Sequence, residues 1–342
     1  MSTNPASAAA PFRPLFPDDL DQGDPFLLEA PPESESQFRY YVFTTGEDPT
    51  DGWAFPVYAS PDLAKWQRLG SALPTERLSS HWAPCVSYNV GLARPFVMLY
   101  SRAIGTGEQG HIGHAIRRAD AAQPEGPYLD TGHVLTPGFD FAIDPDLYRR
   151  SDGSLSVAFA VDFVENEPLG TGIVEAPIAS DLSRLTGPPR LLARPSHPWQ
   201  VYDAARVMPW KAIPGVDWRT DTVRWHTIEA PVGGLVSPAG RSLYLYSGGC
   251  FFDFYAVGAV VEHPPGVLQD VTGGGENFVI QPNPAAGFFA PGHCSLLGAG
   301  PDRPDDYALL HARFGSPDAK RQMCLARLHW TDADLPIAEP VP

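Results

Sequence analysis

Three carboxylic acids stand at the start of apolar, β-rich segments: Asp24 in "GDPFLLEA", Asp144 in "AIDPDLY" and Glu229 in "HTIEAPVGGL". Burial raises the free energy of an ionised carboxylate, so an acid that leads into a buried strand is expected to have an elevated pKa. Carboxyl groups whose surroundings push their pKa values apart provide the acid and the base of proton-transfer catalysis. About 200 positions separate the first acid from the last, so the three act together only if the fold brings them to one place.

A repeated unit of short segments would bring them together. Each unit contains an apolar entry strand, an aromatic-rich strand that ends in small polar residues, an Ala/Ser-rich strand and an edge strand. The entry strands begin near residues 24, 82, 144, 229 and 291. Proline and glycine, 38 and 32 residues, are spread along the chain, which is typical of an all-β fold with many turns. Five such units predict a five-bladed β-propeller, in which four-stranded antiparallel blades surround a central axis.

The same pattern predicts how the chain is divided. We expect one propeller domain over residues 21–342, after an irregular arm over residues 1–20. Residues 197–226 break the repeat and are predicted to be a loop inserted in the third blade. The final segment "LPIAEPVP" is predicted to be a tail, and short helical turns are expected in "SPDLAKW" and "RADAAQ".

The entry strands predict a shared pocket. The first strand of each propeller blade lines the central axis, so residues at the same point of successive entry strands converge at one end of the channel. The repeat places Asp24, Trp82, Asp144 and Glu229 at that point, with His293 slightly inside the fifth strand. We therefore expect one pocket in which partial burial and two neighbouring acids raise the pKa of Glu229.

Several motifs occur in an order and spacing that resemble glycoside hydrolase family 43. They are "DPFLL…YYVFTT", "WAP", "IDPDLYRRSDG", "IEAP…LYLYSGG" and "PGHCSLL…LLHARF", and together they cover roughly residues 20–335. The resemblance implies that Asp24 is the general base, that Glu229 is the general acid, and that Asp144 tunes the pKa of the acid and orients it. It also implies that Trp82 forms a wall of the sugar subsite and that His293 lies near the axis, beneath the sugar.

The implied reaction explains why three acids are needed. An inverting glycosidase holds its base and acid about 6.5–9.5 Å apart, which leaves room for the attacking water. Asp24 must be ionised to accept the proton of that water, and Glu229 must be protonated near neutral pH. An ionised Asp144 beside Glu229 would hold that proton in place. The reaction requires no cofactor, although the resemblance allows a calcium or other cation on the axis near His293.

Each acid also has a simpler explanation. Asp24 and Asp144 precede prolines, and Asp-Pro commonly opens a turn. Asp146 and Asp152 lie close to Asp144, but only Asp144 falls on the entry position. Glu175 shares the triplet "EAP" with Glu229, yet only Glu229 is followed by "GRSLYLYSGG", as the family's acid is. We therefore prefer Glu229 as the acid.

Other candidates are less distinctive. Arg313 is a candidate substrate-binding residue on the fifth blade, and Arg321 lies near it; either arginine could instead form a salt bridge at the edge of the blade. Trp82 and His293 could be ordinary core residues. His111, His114 and His311 lack the spacing of a zinc site. Cys85 departs from the resemblance, because an acid commonly follows "WAP" in the family, and we expect altered packing or subsite polarity there.

Composition excludes several classes of function. The net charge of −16 argues against nucleic acid as a partner, because phosphate binding needs clustered Lys and Arg. No apolar run is long enough to span a bilayer, so no membrane partner is expected. Cys85, Cys250, Cys294 and Cys324 are too widely spaced for a disulfide framework, and the first residues do not resemble a secretory signal. We expect a cytoplasmic protein with free thiols.

The leading functional hypothesis is an inverting, exo-acting α-L-arabinofuranosidase that acts on plant-derived oligosaccharides. A β-xylosidase or a galactan-directed propeller glycosidase is the enzymatic alternative. A catalytically silent carbohydrate-binding propeller is the alternative from another class. The sequence leaves the sugar, the linkage and the oligomeric state open.

Overall fold

The computed structural model describes residues 11–75, 80–104, 113–150, 152–209, 211–300 and 303–341. This part of the chain contains 21 β-strands, and its only helical segments are short 3-10 turns at Pro32–Ser34, Pro198–Gln200, Gly273–Gly275 and Pro284–Ala286. None of the helices in these ranges is long and apolar enough to cross a membrane.

The strands form the five blades that the repeat predicts, and within each blade consecutive strands pair antiparallel. Blade one contains β1 (Gly23–Glu29), β2 (Tyr40–Thr45), β3 (Ala54–Ser60) and β4 (Gln67–Leu73). Blade two contains β5 (His81–Tyr88), β6 (Phe96–Ala103), β7 (His114–Ala121) and β8 (Leu129–Val134). Blade three contains β9 (Ala142–Arg149), β10 (Leu155–Phe163), β11 (Gly170–Pro177) and β12 (Arg190–Ala193). An extra strand, β13 (Val201–Arg206), precedes blade four, which contains β14 (Val223–Val236), β15 (Ser242–Gly249), β16 (Tyr255–Glu262) and β17 (Leu268–Asp270). Blade five contains β18 (Phe288–Leu297), β19 (Asp306–Phe314), β20 (Gln322–Trp330) and β21 (Pro336–Pro340).

The blades close into a ring around the axis. The entry strands β1, β5, β9, β14 and β18 contact one another in that order, and β18 contacts β1 again. Apolar side chains fill the space between neighbouring blades; one cluster joins Phe43 and Phe55 of blade one to Met98 and Tyr100 of blade two. Burying each such large side chain contributes about 1.5–3 kcal/mol. The five-bladed propeller predicted from the sequence is confirmed.

Each entry strand contains a β-bulge at the same point. The pairing register shifts there in all five blades, and a residue adopts a left-handed backbone conformation; β18 shifts once more and has a second such residue, Ala290 (φ 44°). The residues at the shared point are Asp24 (φ 49°), Ala83 (φ 49°), Asp144 (φ 57°), Ala230 (φ 50°) and His293 (φ 50°). A non-glycine residue in this region is strained, and such strain persists only where the surrounding structure enforces it. The bulge is therefore a fixed feature of the repeat.

The bulge corrects the alignment of the predicted site by one residue. Asp24 and Asp144 occupy the left-handed position. In blades two and four that position is held by Ala83 and Ala230, so Trp82 and Glu229 lie one residue before it. Because the bulge inserts an extra residue into the strand, the usual alternation of side chains is interrupted. Side chains on either side of the bulge can therefore face the same cavity.

Three expectations about the connecting segments are wrong in detail. Residues 197–226 are not only a loop, because they include β13, which pairs with β14, and the first residues of β14 itself. Pairing of β11 with β14 in parallel joins blades three and four into one sheet. The end of the chain is not a tail, since β21 is the outer strand of blade five. Neither expected helical turn forms: residues 118–121 belong to β7, and residues 61–65 form a bend.

The described part of the N-terminal arm, residues 11–22, has no strand and packs across blades five and one. Phe12 stacks on Phe288 with ring centroids 4.6 Å apart, and the Leu15 N–H donates to the carbonyl of Met323 at 2.8 Å. The Tyr58 hydroxyl of blade one donates to Asp18 at 3.1 Å. The arm thus ties the last blade to the first; residues 1–10 lie outside the described ranges.

Candidate active site

One end of the propeller axis opens into a cavity of about 300 Å³. All five entry strands contribute side chains to its lining, namely Asp24, Trp82, Asp144, Glu229 and His293. The structure therefore brings together five of the six residues selected from the sequence. Residues that converge from five strands are held by the whole ring, so the geometry of this cavity is as rigid as the propeller core.

Asp24 lies among positive and polar groups. Its Oδ1 is 3.1 Å from Nη1 of Arg321 and 3.2 Å from Nδ1 of His293. Burial opposes ionisation of Asp24, but Arg321, His293 and His311 together lower its pKa below the ordinary value. The Asp24 N–H also donates to Nδ1 of His311 at 3.1 Å. Asp24 is therefore ionised at neutral pH, as a general base requires.

Glu229 has the opposite electrostatic character. Burial raises its pKa to about 7, and the nearby carboxylate of Asp24 acts in the same direction. The Tyr255 hydroxyl donates to Oε1 of Glu229 at 2.8 Å, which favours the charged form and limits the shift. Glu229 therefore retains a proton over much of the neutral range, as a general acid requires.

Asp144 stands beside Glu229 and shares its surroundings. Burial raises the pKa of Asp144 well above its ordinary value, and Glu229 and Asp24 add to the effect. Asp144 was expected to be ionised, but both acids have raised pKa values in the structure. Two interacting acids titrate as a pair, so the raised pKa values favour protonation of the pair Asp144–Glu229 near neutral pH.

A ring of hydrogen bonds fixes the bulges around the axis. In each blade the N–H of the left-handed residue donates to a side chain of the preceding blade, and in four of the five blades the acceptor belongs to a second strand. The acceptors of Ala83, Asp144, His293 and Asp24 are Thr45, Ser101, Ser247 and His311, at 2.7, 2.9, 2.7 and 3.1 Å. All four acceptors lie on the second strand of their blade, opposite the residue that precedes the bulge.

Blade three departs from this rule. The equivalent residue of its second strand is Ala160, which lies opposite Ile143 and has no side-chain acceptor. The N–H of Ala230 donates instead to Oδ2 of Asp144 at 3.0 Å. Because Ala230 directly follows Glu229, this bond fixes Asp144 next to the acid.

The walls of the cavity come mainly from aromatic side chains. The Trp82 ring stacks on His114 with centroids 3.9 Å apart, so a core contact supports the exposed face of the indole. The segment 197–226 adds Tyr202, Arg206 and Trp225 to the lining. The loop between β15 and β16 adds Phe251 and Phe252.

Sequence analysis missed several lining residues. Those of the segment 197–226 have no counterpart in the repeat, so no alignment signal marks them. His311 has a signal that was not used: it stands at the same point of its second strand as Thr45, Ser101 and Ser247. An alignment of second strands would have found it.

Arg313, the sixth selected residue, is not among the side chains that line the cavity. It is 9% exposed, and its guanidinium donates to the carbonyls of Phe251, at 3.4 Å, and Ala319. Arg321, which immediately precedes the neighbouring strand β20, lines the cavity instead. Residues near the ends of adjacent strands can point in different directions, and sequence spacing did not separate these two.

The rival acids lie outside the cavity lining. Glu175 is buried in contact with Arg150, Arg190 and Tyr148. Asp146 accepts the N–H of Gly233 at 2.8 Å, two residues beyond Asp144 along β9. The exposed Asp152 caps a turn by accepting the N–H of Ser154. These placements agree with the choice of Asp144 and Glu229.

Cys85 has a packing role. It is buried, and its Sγ accepts the N–H of Leu147 in the next blade at 3.3 Å. It does not line the cavity. Cys85 therefore belongs to the contact between blades two and three, and the expected change of packing stays a prediction.

Metal binding has little support at this site. No group of three or more His, Cys, Asp or Glu side chains in the described ranges is arranged to hold a metal ion. Calcium requires six to eight oxygen ligands, whereas Asp24 is surrounded by imidazoles and a guanidinium. These residues do not fit calcium. An axial cation near His293 stays a prediction; His111 lies outside the described ranges.

Comparisons with known proteins agree with this architecture. The sequence model of the glycosyl hydrolases family 43 matches residues 24–210. A comparison with curated protein sequences found no match. Among solved structures, the chain is similar to a thermostable family-43 glycoside hydrolase, with 24% identity, a TM-score of 0.69, and coverage of 94% of this chain and 95% of the other.

Two further structures have related descriptions. An α-L-arabinofuranosidase from Lactobacillus brevis is 18% identical, with a TM-score of 0.69 and 97% of each chain covered. An endo-1,4-β-xylanase from Bacteroides thetaiotaomicron is 19% identical, with a TM-score of 0.67 and coverage of 96% of this chain and 97% of the other. At these identities the likeness establishes the fold, and the different substrates in the descriptions leave the sugar open.

Proposed function

The chain belongs to the glycosyl hydrolases family 43, and from this premise we propose that it is an inverting, exo-acting glycosidase that releases a pentose from short oligosaccharides, most simply an α-L-arabinofuranosidase. The observation that carries the proposal is the contrast between Asp24, whose pKa is lowered, and Glu229, whose pKa is raised to about 7, in one cavity. Carboxyl groups with separated pKa values are what acid–base hydrolysis of a glycoside requires.

Each acid has a role in the proposed reaction. Asp24 accepts a proton from the attacking water as its oxygen bonds to the anomeric carbon. Glu229 donates its proton to the oxygen of the leaving group as the glycosidic bond breaks. Asp144 accepts the N–H of Ala230, which keeps the adjacent acid in position, and its titration is coupled to that of Glu229.

The shape of the cavity supports exo action. The segment 197–226 places Tyr202, Arg206 and Trp225 along one wall of a cavity of about 300 Å³. A pocket of this size accommodates the terminal unit of a chain better than an internal one. Trp82 offers an aromatic face for the C–H side of the sugar ring.

Pentose disaccharides test the proposal better than activated substrates alone. Parent, Glu229→Gln and Asp24→Asn proteins would be assayed on α-L-arabinofuranosyl and β-D-xylosyl disaccharides and on the 4-nitrophenyl glycosides of the same sugars. We expect Glu229→Gln to lose about 10²–10⁴-fold on the disaccharide and much less on the nitrophenyl glycoside, whose leaving group needs little protonation. Asp24→Asn should lose activity on both. The variant Glu33→Gln, which neutralises an exposed acid, serves as a matched control.

Each outcome has a distinct meaning. A parent protein that binds sugars without hydrolysing any of them would be a carbohydrate-binding propeller and would contradict the proposed activity. Equal disaccharide hydrolysis by the parent and Glu229→Gln would remove Glu229 as the acid. Release of the product with retained anomeric configuration, followed by NMR, would exclude the inverting mechanism.

A further inference from the structure

Two phenylalanines of one loop form an exposed aromatic surface at the edge of the cavity. Phe251 and Phe252 follow β15, and their ring centroids are 4.1 Å apart. Both line the cavity, yet Phe252 is 62% exposed, so its ring lies where the cavity meets solvent. Exposed apolar groups at the rim of a pocket commonly mark a place where a ligand binds.

Two arginines hold these rings in place. The guanidinium of Arg313 lies 5.7 Å from the ring centroid of Phe252, and that of Arg321 lies 5.6 Å from the ring centroid of Phe251. Such cation–π contacts orient an aromatic ring. Arg313 also donates to the main-chain carbonyl of Phe251. The aromatic pair is therefore fixed before any ligand arrives, which lowers the entropic cost of binding.

A tyrosine connects the aromatic pair to the acid, and Arg321 connects it to the base, since Arg321 also lies 3.1 Å from Asp24. Phe251 is 6.4 Å from Tyr255 in an edge-on arrangement, and the Tyr255 hydroxyl donates to Glu229. On its other side Phe251 is 6.2 Å from Tyr202 of β13. A general acid must lie next to the oxygen of the leaving group. A leaving group that takes the proton of Glu229 therefore has Phe251 within reach, one ring beyond Tyr255.

We propose that Phe251 and Phe252 form the leaving-group subsite, that this subsite takes a group with a flat apolar face, and that Arg313 is its positioning residue. An aryl aglycone and the C–H face of a sugar ring share this chemistry. The inference rests on the proposed function, because it assigns Glu229 as the acid. It gives Arg313 an indirect role in place of the sugar contact expected from the sequence.

Three glycosides of the same pentose test the subsite: an aryl glycoside, a disaccharide and the methyl glycoside. We expect Phe252→Ala to lower kcat/KM about tenfold for the aryl glycoside, the disaccharide or both, and less than twofold for the methyl glycoside, which does not reach the rings. Phe254→Ala is the matched control, because Phe254 belongs to the same loop and is 37% exposed but does not line the cavity. Which glycosides are affected identifies the kind of leaving group.

Binding measurements separate this inference from the proposed activity. In Glu229→Gln protein, titration followed by tryptophan fluorescence gives the Kd of each intact glycoside. Phe252→Ala should weaken binding of the aryl glycoside or disaccharide about tenfold in this background, and leave the methyl glycoside unaffected. That result would support the subsite even if the parent hydrolyses nothing. Equal loss on all three glycosides, or no loss on any, would overturn it.

The role of Arg313 is tested by the same comparison of the aryl glycoside and the disaccharide with the methyl glycoside. Arg313→Gln should reproduce the pattern of Phe252→Ala, and Arg313→Lys, which keeps the charge behind the ring, should retain more of the parent's preference. A general structural role would lower activity on the methyl glycoside as well. Loss of that kind, without recovery in the lysine variant, would remove Arg313 from the subsite.

Discussion

The interface between blades three and four differs from the other four interfaces of the ring. Elsewhere a neutral side chain of a second strand, such as Ser101 or Ser247, accepts the N–H of the next bulge. Between blades three and four the acceptor is the carboxyl group of Asp144, because Ala160 offers none. A repeated structural bond has been transferred to a residue of the candidate active site. The comparison shows how the repeat can place an acid beside Glu229 without an extra element.

The same interface has additional connections farther from the axis. β11 and β14 pair in parallel, and Arg190 of blade three bridges Glu175 and Glu262, the latter in blade four. Buried carboxyl groups are costly to desolvate, and Asp144 and Glu229 both have raised pKa values. The extra pairing and ion pairs offset part of this cost at the same interface.

Asp144→Ala should have the largest effect, because it removes both the acceptor of the Ala230 N–H and the carboxyl group beside Glu229. We expect activity to fall about 10³-fold and the free energy of unfolding to fall by about 1–3 kcal/mol, since the buried N–H of Ala230 loses its acceptor. Disaccharide hydrolysis and urea unfolding measure the two effects. The double variant Asp144→Ala/Ala160→Ser would restore the acceptor used at the other interfaces. It should recover stability but not activity. Recovery of both, or of neither, would contradict the idea that the hydrogen bond stabilises the fold and the carboxyl group serves activity.

Asp144→Asn separates the charge from the hydrogen bond. The amide oxygen can still accept the N–H of Ala230, so the urea midpoint should stay close to that of the parent. Activity should fall about 10²-fold, because the amide cannot ionise and so cannot influence the protonation of Glu229. Full activity in this variant would show that Asp144 acts only as a structural acceptor, like Ser101.

Glu229→Gln should change how stability depends on pH. The pKa of Glu229 is about 7 in the folded protein and 4.5 ordinarily, so the folded state binds the proton more tightly. Protonated Glu229 therefore contributes about 1–3 kcal/mol to the free energy of unfolding. This contribution is complete below pH 4.5 and is lost as the pH rises towards 7. Unfolding measured from pH 4 to pH 8 should therefore be flatter for Glu229→Gln than for the parent. Parallel curves would show that Glu229 has the same pKa in the folded and the unfolded state, as an exposed glutamate would.

Ser247→Ala tests one of the ordinary interfaces. It removes the acceptor of the His293 N–H and should lower the free energy of unfolding by about 1 kcal/mol. Activity should change less than tenfold, because no carboxyl group is displaced. If the loss of activity equalled that of Asp144→Asn, the contrast between the interfaces would have no functional meaning.

Tyr255→Phe should have the smallest effect and should appear in the pH profile. The Tyr255 hydroxyl stabilises the charged form of Glu229, so its removal raises the pKa of the acid further. The alkaline limb of kcat/KM should then move upward by about one pH unit or less. A downward shift would mean that the hydroxyl binds the protonated form instead.

The repeat, and through it most of the candidate site, could be predicted from the amino-acid sequence. Entry strands recur with Asp-Pro, Trp-Ala-Pro and Glu-Ala-Pro motifs, and a propeller must turn every entry strand toward its axis. Asp24, Trp82, Asp144, Glu229 and His293 therefore reach one cavity. The one-residue offset of Trp82 and Glu229 was not predicted, because a bulge depends on how two strands pair and not on composition.

Three features depend on the tertiary structure: the wall residues of the inserted segment, the arginine that lines the cavity, and the pKa values of the acids. Tyr202, Arg206 and Trp225 come from a segment without a repeat register, and their position depends on the pairing of β13 with β14. The choice between Arg313 and Arg321 depends on the direction of each side chain at the end of its strand. The pKa values of Asp24 and Glu229 move in opposite directions because burial, Arg321 and Tyr255 act at distances of a few ångströms, and such distances are set by packing across blades far apart in the sequence.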